Sequence, residues 1–307
     1  MTKNISTIIL TYNEELHIER SIKSAKKISN EIFIVDSFSN DKTLKICKKY
    51  DVKIFQHKFI NQAKQFNWAL KNLPIKNRWV MKLDADEYFE NSLIDEIKNK
   101  LPKLSKKIVG INIKRKHIFM GKWIKFGGRY PLTLLRIWRN GHGKVEDRWV
   151  DEHVIIKGGS TTVFKNNFID NNMKNLDFFI NKHNNYATRE AIEILTKKYD
   201  LNKNLDNLNI KNNFSQSTFK RFLKEFIYNK ITFTISSLFY FLYRYIILLG
   251  FLDGKEGLIY HFLQGYWYRF LVGAKVTEIE KQISKTSSKK KIINKISNIT
   301  GFKLDHY

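Results

Sequence analysis

Cysteine is nearly absent from this chain, since Cys47 is the only one among 307 residues. A single cysteine excludes an intramolecular disulfide framework, and its apolar neighbours in a predicted helix indicate a buried thiol, so we expect a reducing compartment. The eight histidines lack the spacing of metal ligands, which argues against a zinc site. No signal peptide is evident, because the first apolar run, residues 5–10, is too short for one.

Acidic residues are scarce relative to basic ones. The chain has 29 Asp and Glu against 55 Lys and Arg, which gives a formal net charge of +26. Such a charge predicts an anionic partner, either a nucleic acid or a membrane surface. The basic residues are spread over the whole chain and match no zinc-finger, RNA-binding or basic-zipper pattern, so we do not expect nucleic acid. The 43% hydrophobic content excludes a disordered protein.

Long uninterrupted hydrophobic runs are also missing. Residues 231–252 come nearest, with Arg244 as their only charge before Asp253. Their length permits a membrane-spanning helix, but Thr, Ser and Tyr dilute the hydrophobicity and Arg244 would lie inside the bilayer. Residues 219–275 as a whole mix aromatic and basic side chains, which is typical of helices on an anionic bilayer. We therefore expect interfacial helices here, and the sequence leaves open whether residues 231–252 insert.

Strands alternate with helices along the first part of the chain. Apolar, β-branched runs predict strands at residues 5–10, 31–35, 52–55 and 79–83. Helical patterns lie between them, at residues 42–50 and 61–73, and Asn13 is a predicted N-cap with Glu14 in the first helical turn. This alternation predicts a doubly wound, parallel α/β sheet. Because ligands of such sheets bind at the carboxyl ends of the strands, the polar residues that follow each run should converge there.

Asp84-Ala85-Asp86 stands at the polar end of the fourth predicted strand. One or two carboxylates, together with phosphates of the ligand, are the oxygen ligands that Mg²⁺ or Mn²⁺ prefers. The motif therefore indicates a divalent metal that carries a diphosphate. By itself an Asp-x-Asp pattern is more often a solvated turn or a helix cap, so its interpretation depends on the segments around it.

Four segments carry a resemblance to a known family. They are Ile9-Leu10-Thr11-Tyr12-Asn13-Glu14-Glu15, Val35-Asp36-Ser37 with Asp41, Gln65-Phe66-Asn67-Trp68-Ala69-Leu70 and Leu83-Asp84-Ala85-Asp86-Glu87. In this order and spacing they resemble the family 2 inverting glycosyltransferases with the GT-A fold. Residues 126–131, 135–139, 150–152 and 250–254 are similar to the lipopolysaccharide-core β-1,4-glucosyltransferase type and its lipid-linked-oligosaccharide relatives. The chain departs from that subgroup at Asp151-Glu152, where His-Glu is usual, and in its acidic loop, residues 36–41.

The resemblance implies a GT-A fold, an α/β architecture with a mixed, mainly parallel sheet, followed here by a C-terminal helical region that associates with a membrane. We expect a glycosyltransferase domain over residues 1–200, with a nucleotide-sugar half (1–105) and an acceptor half (106–200). Membrane-associating helices should follow over residues 201–280, and a basic tail over residues 281–307. Within the acceptor half, Asn-rich residues 166–175 have the composition of a polar connector.

The implied reaction moves a hexose, glucose being favoured, from a UDP-sugar to a lipid-linked glycan or lipopolysaccharide-core acceptor at the inner face of the bacterial cytoplasmic membrane. Asp86 would ligate Mn²⁺ or Mg²⁺. The expected nucleotide-sugar contacts are Thr11, Tyr12, Asn13, Glu14, Asp36, Gln65, Asn67 and Asp84. The expected acceptor contacts are Arg129, Tyr130 and Arg136, since guanidinium groups suit phosphates or carboxylates. The structural alternatives are helix capping for Asn13 and Asp41, a solvated helix face for Gln65 and surface charges for the two arginines.

Sugar transfer also needs a general base for the acceptor hydroxyl, and Val150-Asp151-Glu152-His153 offers three titratable side chains in a row. In an extended segment Asp151 and His153 share one face and Glu152 lies on the other. Alignment with the subgroup puts Glu152 at the catalytic position, and Asp151 is the alternative base. A structural salt bridge between Glu152 and Arg148 is the non-catalytic interpretation.

Other protein classes explain less of the sequence. A nucleotidyltransferase would need a Gly-rich phosphate loop near the first strand, and Thr11-Tyr12-Asn13-Glu14 contains no glycine. A processive polysaccharide synthase would need a Gln-x-x-Arg-Trp motif, which Gln264-Gly265-Tyr266-Trp267 does not match. A non-catalytic basic protein that binds membrane or nucleic acid explains the charge but leaves Asp84, Asp86 and Glu152 without a role.

Overall fold

The computed structural model describes residues 4–146, 153–201, 232–283, 288–302 and 304. Strands and helices alternate through the first part of the chain, as predicted. The elements are β1 (Ile5–Thr11), α1 (Ile18–Ala25), β2 (Glu31–Asp36), α2 (Thr43–Cys47), β3 (Lys53–Gln56), α3 (Gln62–Asn72) and β4 (Trp79–Asp84). They form one compact unit, Met1–Lys174, together with the elements that follow.

The second half of this unit is mostly β-structure. Its elements are β5 (Glu87–Phe89), α4 (Asn91–Lys100), a 3₁₀ turn (Leu101–Lys103), β6 (Ile108–Phe119), β7 (Lys122–Trp123), β8 (Leu132–Arg139), β9 (Gly143–Val145), β10 (Val154–Ile156) and β11 (Ser160–Asn171). A polar connector was predicted at residues 166–175, but residues 166–171 belong to β11. This strand pairs with β5 and β6 up to Asn171. Its Asn and Asp side chains lie along a strand that is only partly buried.

The main sheet has the strand order β3-β2-β1-β4-β8-β6-β11-β5, with β7 beside β6, and β9 and β10 form a separate pair. The pairs β1–β2, β2–β3, β1–β4 and β6–β11 are parallel, whereas β8 runs antiparallel to both β4 and β6. The predicted mixed α/β sheet is thereby confirmed. In register, Thr11 pairs with Asp36 and Leu10 with Asp84, so three neighbouring parallel strands end at the same level.

Apolar side chains on both faces of the sheet make it a buried layer. Ile9 of β1 packs with Ile18 and Ile22 of α1, while the preceding residue Ile8 belongs to a second cluster with Phe66 of α3. Successive strand residues point to opposite faces, so a parallel strand covered by helices on both sides reads as a continuous apolar run. Cys47 is buried as predicted, and burial, aided by the charge of Asp36, raises the pKa of its thiol to about 11.

The second compact unit, Asn175–Tyr307, is helical in its described parts. It contains α5 (Leu176–Lys198), α6 (Phe233–Leu242), a π-helical turn (Tyr243–Ile247), a 3₁₀ turn (Gly250–Asp253), α7 (Gly254–His261), a second π-helical segment (Phe262–Trp267), α8 (Tyr268–Ile283) and α9 (Lys289–Thr300). The unit begins earlier than the predicted boundary at residue 200, because α5 packs along α8. The predicted basic tail contains α9, whose Ile292 and Ile296 are buried.

No single described helix of this unit has both the length and the apolar character to cross a membrane. One bent pair of helical segments, Phe233–Ile247 and Gly250–Ile283, meets the criteria of length and composition jointly, with a bend of 72° between its parts.

A β-bulge in β11 depends on a carboxylate from α4. The register of β11 on β6 shifts between Val163 and Asn167, and the backbone N–H groups of Lys165 and Asn166 donate instead to Glu96, at 3.0 and 2.9 Å. Burial by itself raises the pKa of Glu96, but hydrogen bonds from Lys100, Lys165 and Asn166 outweigh it and lower the pKa to about 2. Glu96 is therefore ionised in the folded protein, and its carboxylate accepts the hydrogen bonds of the backbone N–H groups at the bulge.

We expect Glu96→Gln to lower the free energy of unfolding by about 1–3 kcal/mol at neutral pH, because a charged acceptor of several part-buried hydrogen bonds is lost. The folded pKa is depressed, so this contribution is complete above the unfolded pKa of about 4.3 and is lost as the pH falls from there towards 2. Urea unfolding at about pH 7 and about pH 3 measures it. Asp95→Asn, at an exposed position of the same helix, is the control. A deficit that does not shrink in acid would contradict this role.

Candidate active site

The carboxyl ends of β2, β1 and β4 lie side by side and carry Asp36, Thr11 and Asp84. The register fixes this, since Thr11 is opposite Asp36 and Leu10 is opposite Asp84. The loops that follow the three strands hold Tyr12 to Glu15, Ser37 to Asp41 and Ala85 to Glu87. The structure thus brings together the first, second and fourth predicted motifs at one edge of the sheet.

Asp36 is completely buried and organises the loops around it. Its carboxylate accepts hydrogen bonds from the Thr11 hydroxyl (3.0 Å), the Ser39 backbone N–H (2.9 Å) and hydroxyl, and the Gln56 amide (3.3 Å). These donors come from β1, from the loop after β2 and from β3. Asp36 therefore fixes the relative positions of three strand ends, and its predicted contact with a nucleoside stays a prediction.

The loop after β1 does not start a helix at Asn13, so the predicted N-cap and the predicted first-turn position of Glu14 are wrong. Asn13 has a left-handed backbone (φ 53°), and α1 begins only at Ile18. The backbone N–H of Asn13 donates to Ser39 Oγ at 2.8 Å, and that of Glu14 to Thr43 Oγ1 at 2.8 Å. These hydrogen bonds therefore hold the loop after β1 to the segment after β2.

Asp41 precedes Lys42, the N-cap of α2, and its carboxylate accepts backbone N–H groups from the start of α2 and from the loop after β1, so its predicted role as the helix cap is met only in part. The Thr43 backbone N–H donates to Asp41 Oδ1 at 2.9 Å, and the Glu15 backbone N–H donates to its other oxygen at 3.1 Å. Tyr12 and Phe38, on the loops after the adjacent strands β1 and β2, are each 56% exposed. The two loops are thus rigidly cross-linked and present aromatic rings to solvent.

The turn after β4 is held by a buried ion pair. Arg136 of β8 donates through Nη2 to Glu87 Oε1, and its Nη1 lies 3.5 Å from Asp84 Oδ2. The other oxygen of Glu87 accepts the backbone N–H of Asp84 at 3.0 Å, which closes the turn. Burial by itself lowers the pKa of Arg136, but the charges of Glu87, Asp84 and Asp170 outweigh it and raise the pKa. Burial, opposed by the charge of Arg136, raises the pKa of Glu87, but both of its oxygens accept hydrogen bonds, as those of a carboxylate do. The guanidinium stays charged and orients Asp84.

This placement corrects the predicted acceptor contact at Arg136. The side chain is 7% exposed and its cationic group lies over the Phe168 ring, so it is engaged inside the sheet. Tyr130 donates its hydroxyl to Asn167 Oδ1 at 2.9 Å and packs edge-to-face on Trp123. Arg129 is half-buried beside it, and the acceptor role of Arg129 and Tyr130 stays a prediction.

The carboxyl end of β11 contributes residues that the sequence did not single out. Lys174 Nζ contacts Glu14 Oε1 at 2.9 Å and the Asn13 carbonyl at 2.8 Å, and Asn172 Nδ2 donates to Asp86 Oδ2 at 2.9 Å. His17 accepts the Met173 backbone N–H at Nε2, so its Nδ1 carries the hydrogen that is donated to Glu14 Oε2. The contacts of Lys174 and Met173 span more than 150 positions of sequence and that of Asn172 spans 86, so no local pattern indicates them.

Gln65 and Asn67, the predicted donor-sugar contacts, are engaged by the protein itself. Gln65 is buried and bonds both to His57, with Nδ1 2.7 Å from Oε1, and to Ser37 Oγ at 3.2 Å. This also corrects the solvated-face interpretation. Asn67 forms two hydrogen bonds with the backbone of Val145, at 2.8 and 3.0 Å, and so anchors β9.

The predicted bases Asp151 and Glu152, with Arg148, lie outside the described residues. The segment that carries them connects β9 to β10, and its two ends are paired. Val145 is opposite Val154, and the Glu146 backbone N–H donates to the His153 carbonyl at 2.9 Å. Asn67 therefore supports the strand from which the connection to Glu152 starts.

Asp84 and Asp86 have the donor chemistry of a divalent-metal site. Among the residues that the structure describes, no group of three or more His, Cys, Asp or Glu side chains is arranged to hold a metal ion. Mg²⁺ commonly takes only one or two carboxylates and completes its shell with substrate phosphates. The Asp84 side chain is 31% exposed and Asp86 is half-buried, so both stand at the surface of the crevice. The pair fits an ion that arrives with a diphosphate.

A cavity of about 680 Å³ lies at the amino ends of the strands, away from these carboxylates. It is lined by Ile5, Trp79, Arg78 and Arg139 among others, and by none of the strand-end residues described above. The carboxyl ends instead carry the partly exposed carboxylates of Asp84 and Asp86, and ligands of α/β sheets bind at that edge, so we place the site there.

The fold and the site can be compared with known proteins. Residues 6–171, more than half of the chain, match the family model Glycosyl transferase family 2. The chain belongs to this family. Residues 6–171 are therefore a family 2 glycosyltransferase domain, and they include the ends of β1, β2 and β4 described above.

Curated relatives match over about a third of the chain. An uncharacterized glycosyltransferase of Rickettsia bellii is 39% identical over 97 residues, which cover 32% of this chain and 32% of the relative. The glycosyltransferase SunS of Bacillus phage SPbeta is 33% identical over 110 residues, which cover 34% of this chain and 24% of SunS. The chain thus matches a third or less of the length of these relatives.

Solved structures are more distant. S. aureus TarS in complex with UDP-GlcNAc is 16% identical, with a TM-score of 0.44 over 90% of this chain and 92% of that one. Glucosyl-3-phosphoglycerate synthase from Mycobacterium tuberculosis, in complex with Mn²⁺, UDP and phosphoglyceric acid, is 17% identical, with a TM-score of 0.31 over 38% of this chain and 43% of that one. Similarity at this level carries no information on the ligands of this glycosyltransferase.

The buried pair in this glycosyltransferase can be tested by a double-mutant cycle. We expect Arg136→Met to lower the free energy of unfolding by about 3–5 kcal/mol, because it leaves the Glu87 carboxylate buried without its partner. Arg136→Met combined with Glu87→Gln should recover much of that loss, since the buried charge is also removed. Urea unfolding measures all variants.

The control is an exposed ion pair of the same unit, Lys23 with Glu19, whose side chains are about half exposed. Lys23→Met should cost less than about 1 kcal/mol. An Arg136→Met cost no larger than this, or a double variant no more stable than Arg136→Met, would contradict the account.

Proposed function

We propose that this glycosyltransferase transfers a hexose, with glucose as the first candidate, from a UDP-sugar to a lipid-linked glycan or lipopolysaccharide-core acceptor, with inversion at the anomeric carbon. The observation that carries the donor half of the proposal is the in-register ending of β2, β1 and β4, which assembles Asp36, Thr11 and Asp84 beside Asp86 in a family 2 chain. A crevice at the carboxyl ends of parallel strands is where α/β sheets bind nucleotides.

The loops after β1 and β2 suit the nucleoside. Tyr12 and Phe38 expose aromatic rings at neighbouring strand ends, and rings of this kind stack on nucleobases. Asp36 and the hydrogen bonds between the loops hold them in place without a ligand. Preorganised loops lose little conformational entropy on binding, so the nucleoside contacts need not be assembled by the ligand.

The turn after β4 suits a divalent ion. Asp86 would be its ligand and Asp84 would complete the site or contact the ribose, with Asn172 and Arg136 orienting the two carboxylates. When bound, Mn²⁺ or Mg²⁺ would neutralise charge on the leaving diphosphate. Lys174 adds a positive charge to the same edge of the sheet.

Glu152 is the proposed base, with Asp151 as the alternative. The acceptor hydroxyl would give its proton to the carboxylate while its oxygen attacks the anomeric carbon, and the bond from that carbon to the diphosphate oxygen would break. One displacement of this kind inverts the anomeric configuration. The hydrogen bonds of Asn67 to β9 would position the segment that carries Glu152.

A lipid-linked acceptor is supported by the formal net charge of +26 and by the apolar surface of the C-terminal unit. We propose that the protein is peripheral on the inner face of the bacterial cytoplasmic membrane, where anionic lipids attract basic proteins. No nucleic acid is part of the proposal.

Turnover of a panel of UDP-sugars with Mn²⁺ or Mg²⁺, with and without extracted lipid-linked glycans, tests this function. Asp86→Asn should abolish both turnover and the Mn²⁺-dependent rise in melting temperature with UDP. Glu152→Gln should lower turnover by about 10²–10⁴-fold and still bind UDP, because a base is not needed for binding. EDTA should remove the activity of the wild-type protein.

Asp51→Asn is the matched control, since Asp51 is exposed and precedes the amino end of β3, at the opposite edge of the parallel strands from Asp36. It should leave turnover and UDP binding unchanged. If the wild-type melting temperature does not rise with UDP and Mn²⁺, the proposed donor site is wrong. If Glu152→Gln has normal turnover, the proposed base is wrong.

A further inference from the structure

Large apolar side chains are exposed along one stretch of the C-terminal unit, residues 233–262, which we call the apolar hairpin. Roughly half of the exposed large apolar residues of the described chain lie there. Ile247 is 67% exposed and Phe239 is 61% exposed, and Ile246, Leu249, Phe251 and Leu252 are about half exposed. A monomeric soluble protein rarely exposes so many adjacent apolar groups, so the surface needs a partner.

The interior of the apolar hairpin is polar, which reverses the pattern of a soluble helix. In α6 the buried residues are Ser236 and Ser237, and the neighbouring Leu238 and Phe239 are exposed. In the π-helical turn, Arg244 is buried while Ile246 and Ile247 face outward. Asp253 is likewise buried beside exposed Phe251 and Leu252. Polar groups inside and apolar groups outside are expected where the surroundings are hydrocarbon.

Those buried polar groups have partners within the same unit. Arg244 Nη1 donates to Gln264 Oε1 at 3.0 Å, and its guanidinium lies 5.7 Å from the centre of the Tyr240 ring. His261 Nε2 lies 3.7 Å from Asp253 Oδ2, and Ser237 donates to the Phe233 carbonyl at 2.6 Å. A charge in the membrane interior is tolerated when it faces inward and is paired.

The exposed surface of the first two thirds of the apolar hairpin carries no charge. Between Thr232 and Gly254, all of which the structure describes, Arg244 and Asp253 are the only charged residues, and both are buried. The first exposed charge after them is Lys255. Cationic residues at the edge of an apolar surface suit the headgroup layer of an anionic membrane.

The chain reversal in the apolar hairpin also meets a requirement of lipid surroundings. At the break between the two bent segments, Leu249 has a left-handed backbone, yet the backbone N–H groups of Leu248 and Leu249 donate to the Tyr243 and Ile246 carbonyls at 2.9 and 3.1 Å. Gly250 permits the tight packing, because a Cβ there would lie 2.8 Å from the His261 ring. Irregular backbone is accepted at membrane depth only where its polar groups are satisfied by protein.

We infer that the apolar hairpin inserts into the hydrocarbon of an anionic bilayer as a re-entrant element that enters and leaves on one side. The inference rests on the membrane association in the proposed function, and it goes beyond adsorption of interfacial helices. A lipid partner is favoured over a second copy of the chain because the charged groups of the hairpin are turned inward, whereas protein interfaces carry a polar rim. After the 72° bend the chain returns along itself, since Gly265 lies against Phe241 and Gly273 against Phe233.

Flotation of the full chain with phosphatidylethanolamine–phosphatidylglycerol vesicles separates insertion from electrostatic adsorption, since salt screens the second and not the first. We expect the wild-type protein to stay bound at about 0.5 M KCl. Ile246→Glu with Ile247→Glu should bind at low salt through the remaining basic charge and be released at high salt. Val163→Glu, an equally exposed apolar position on β11, should behave like the wild type. Release of the wild type by salt, or retention of the double variant, would overturn the inference.

A depth probe tests insertion directly. In a Cys47→Ala background, an environment-sensitive fluorophore on Ile247→Cys should shift to the blue with vesicles and be quenched by lipids nitroxide-labelled in mid-chain. The same probe on Val163→Cys should report water. A water-like signal from the probe at position 247 with vesicles would overturn the inference. A blue-shifted signal without lipid, from a protein that is dimeric in solution, would also overturn it, because a second copy would then cover the surface. UDP and Mn²⁺ thermal shifts on the same samples report the donor site separately.

Discussion

The buried contact of Arg136 with Glu87 and Asp84 is the interaction on which the site depends. Arg136 belongs to β8, which runs antiparallel to β4, and the two carboxylates flank the turn after β4, since Asp84 ends β4 and Glu87 begins β5. One guanidinium thus connects the nucleotide-sugar half of the sheet to the half expected to bind the acceptor. Because Glu87 also closes the turn through the Asp84 backbone, the position of Asp86 follows from the same pair.

Much of the nucleotide-sugar half could be predicted, because a buried parallel strand has a recognisable sequence pattern. The pattern is a short apolar run followed by polar residues. The runs that end at Thr11, Asp36 and Asp84 are of this kind. The residues that support them could not be predicted in the same way. Lys174, Asn172 and Arg136 reach the site from strands distant in sequence, and the cap predicted at Asn13 failed because cross-loop hydrogen bonds hold its backbone left-handed.

The C-terminal unit shows a different limit of sequence patterns. Its aromatic and basic composition indicated a membrane surface, but composition does not tell which side of a helix is buried. The structure shows Ser237, Arg244 and Asp253 inside and Ile247 and Phe239 outside. The lysines near residue 290 favoured a basic tail. The structure has helix α9 there, with Ile292 and Ile296 buried. Side-chain burial, not composition, therefore carries the argument for insertion.

A crystal structure of the protein with UDP and Mn²⁺ tests the central claim most directly, because manganese is located by its anomalous scattering. The account predicts that the ion would be held by the Asp86 carboxylate together with the diphosphate, with uracil against Tyr12 or Phe38. Nucleotide and metal bound elsewhere, for example in the cavity beside Trp79 and Arg139 at the amino ends of the strands, would contradict it.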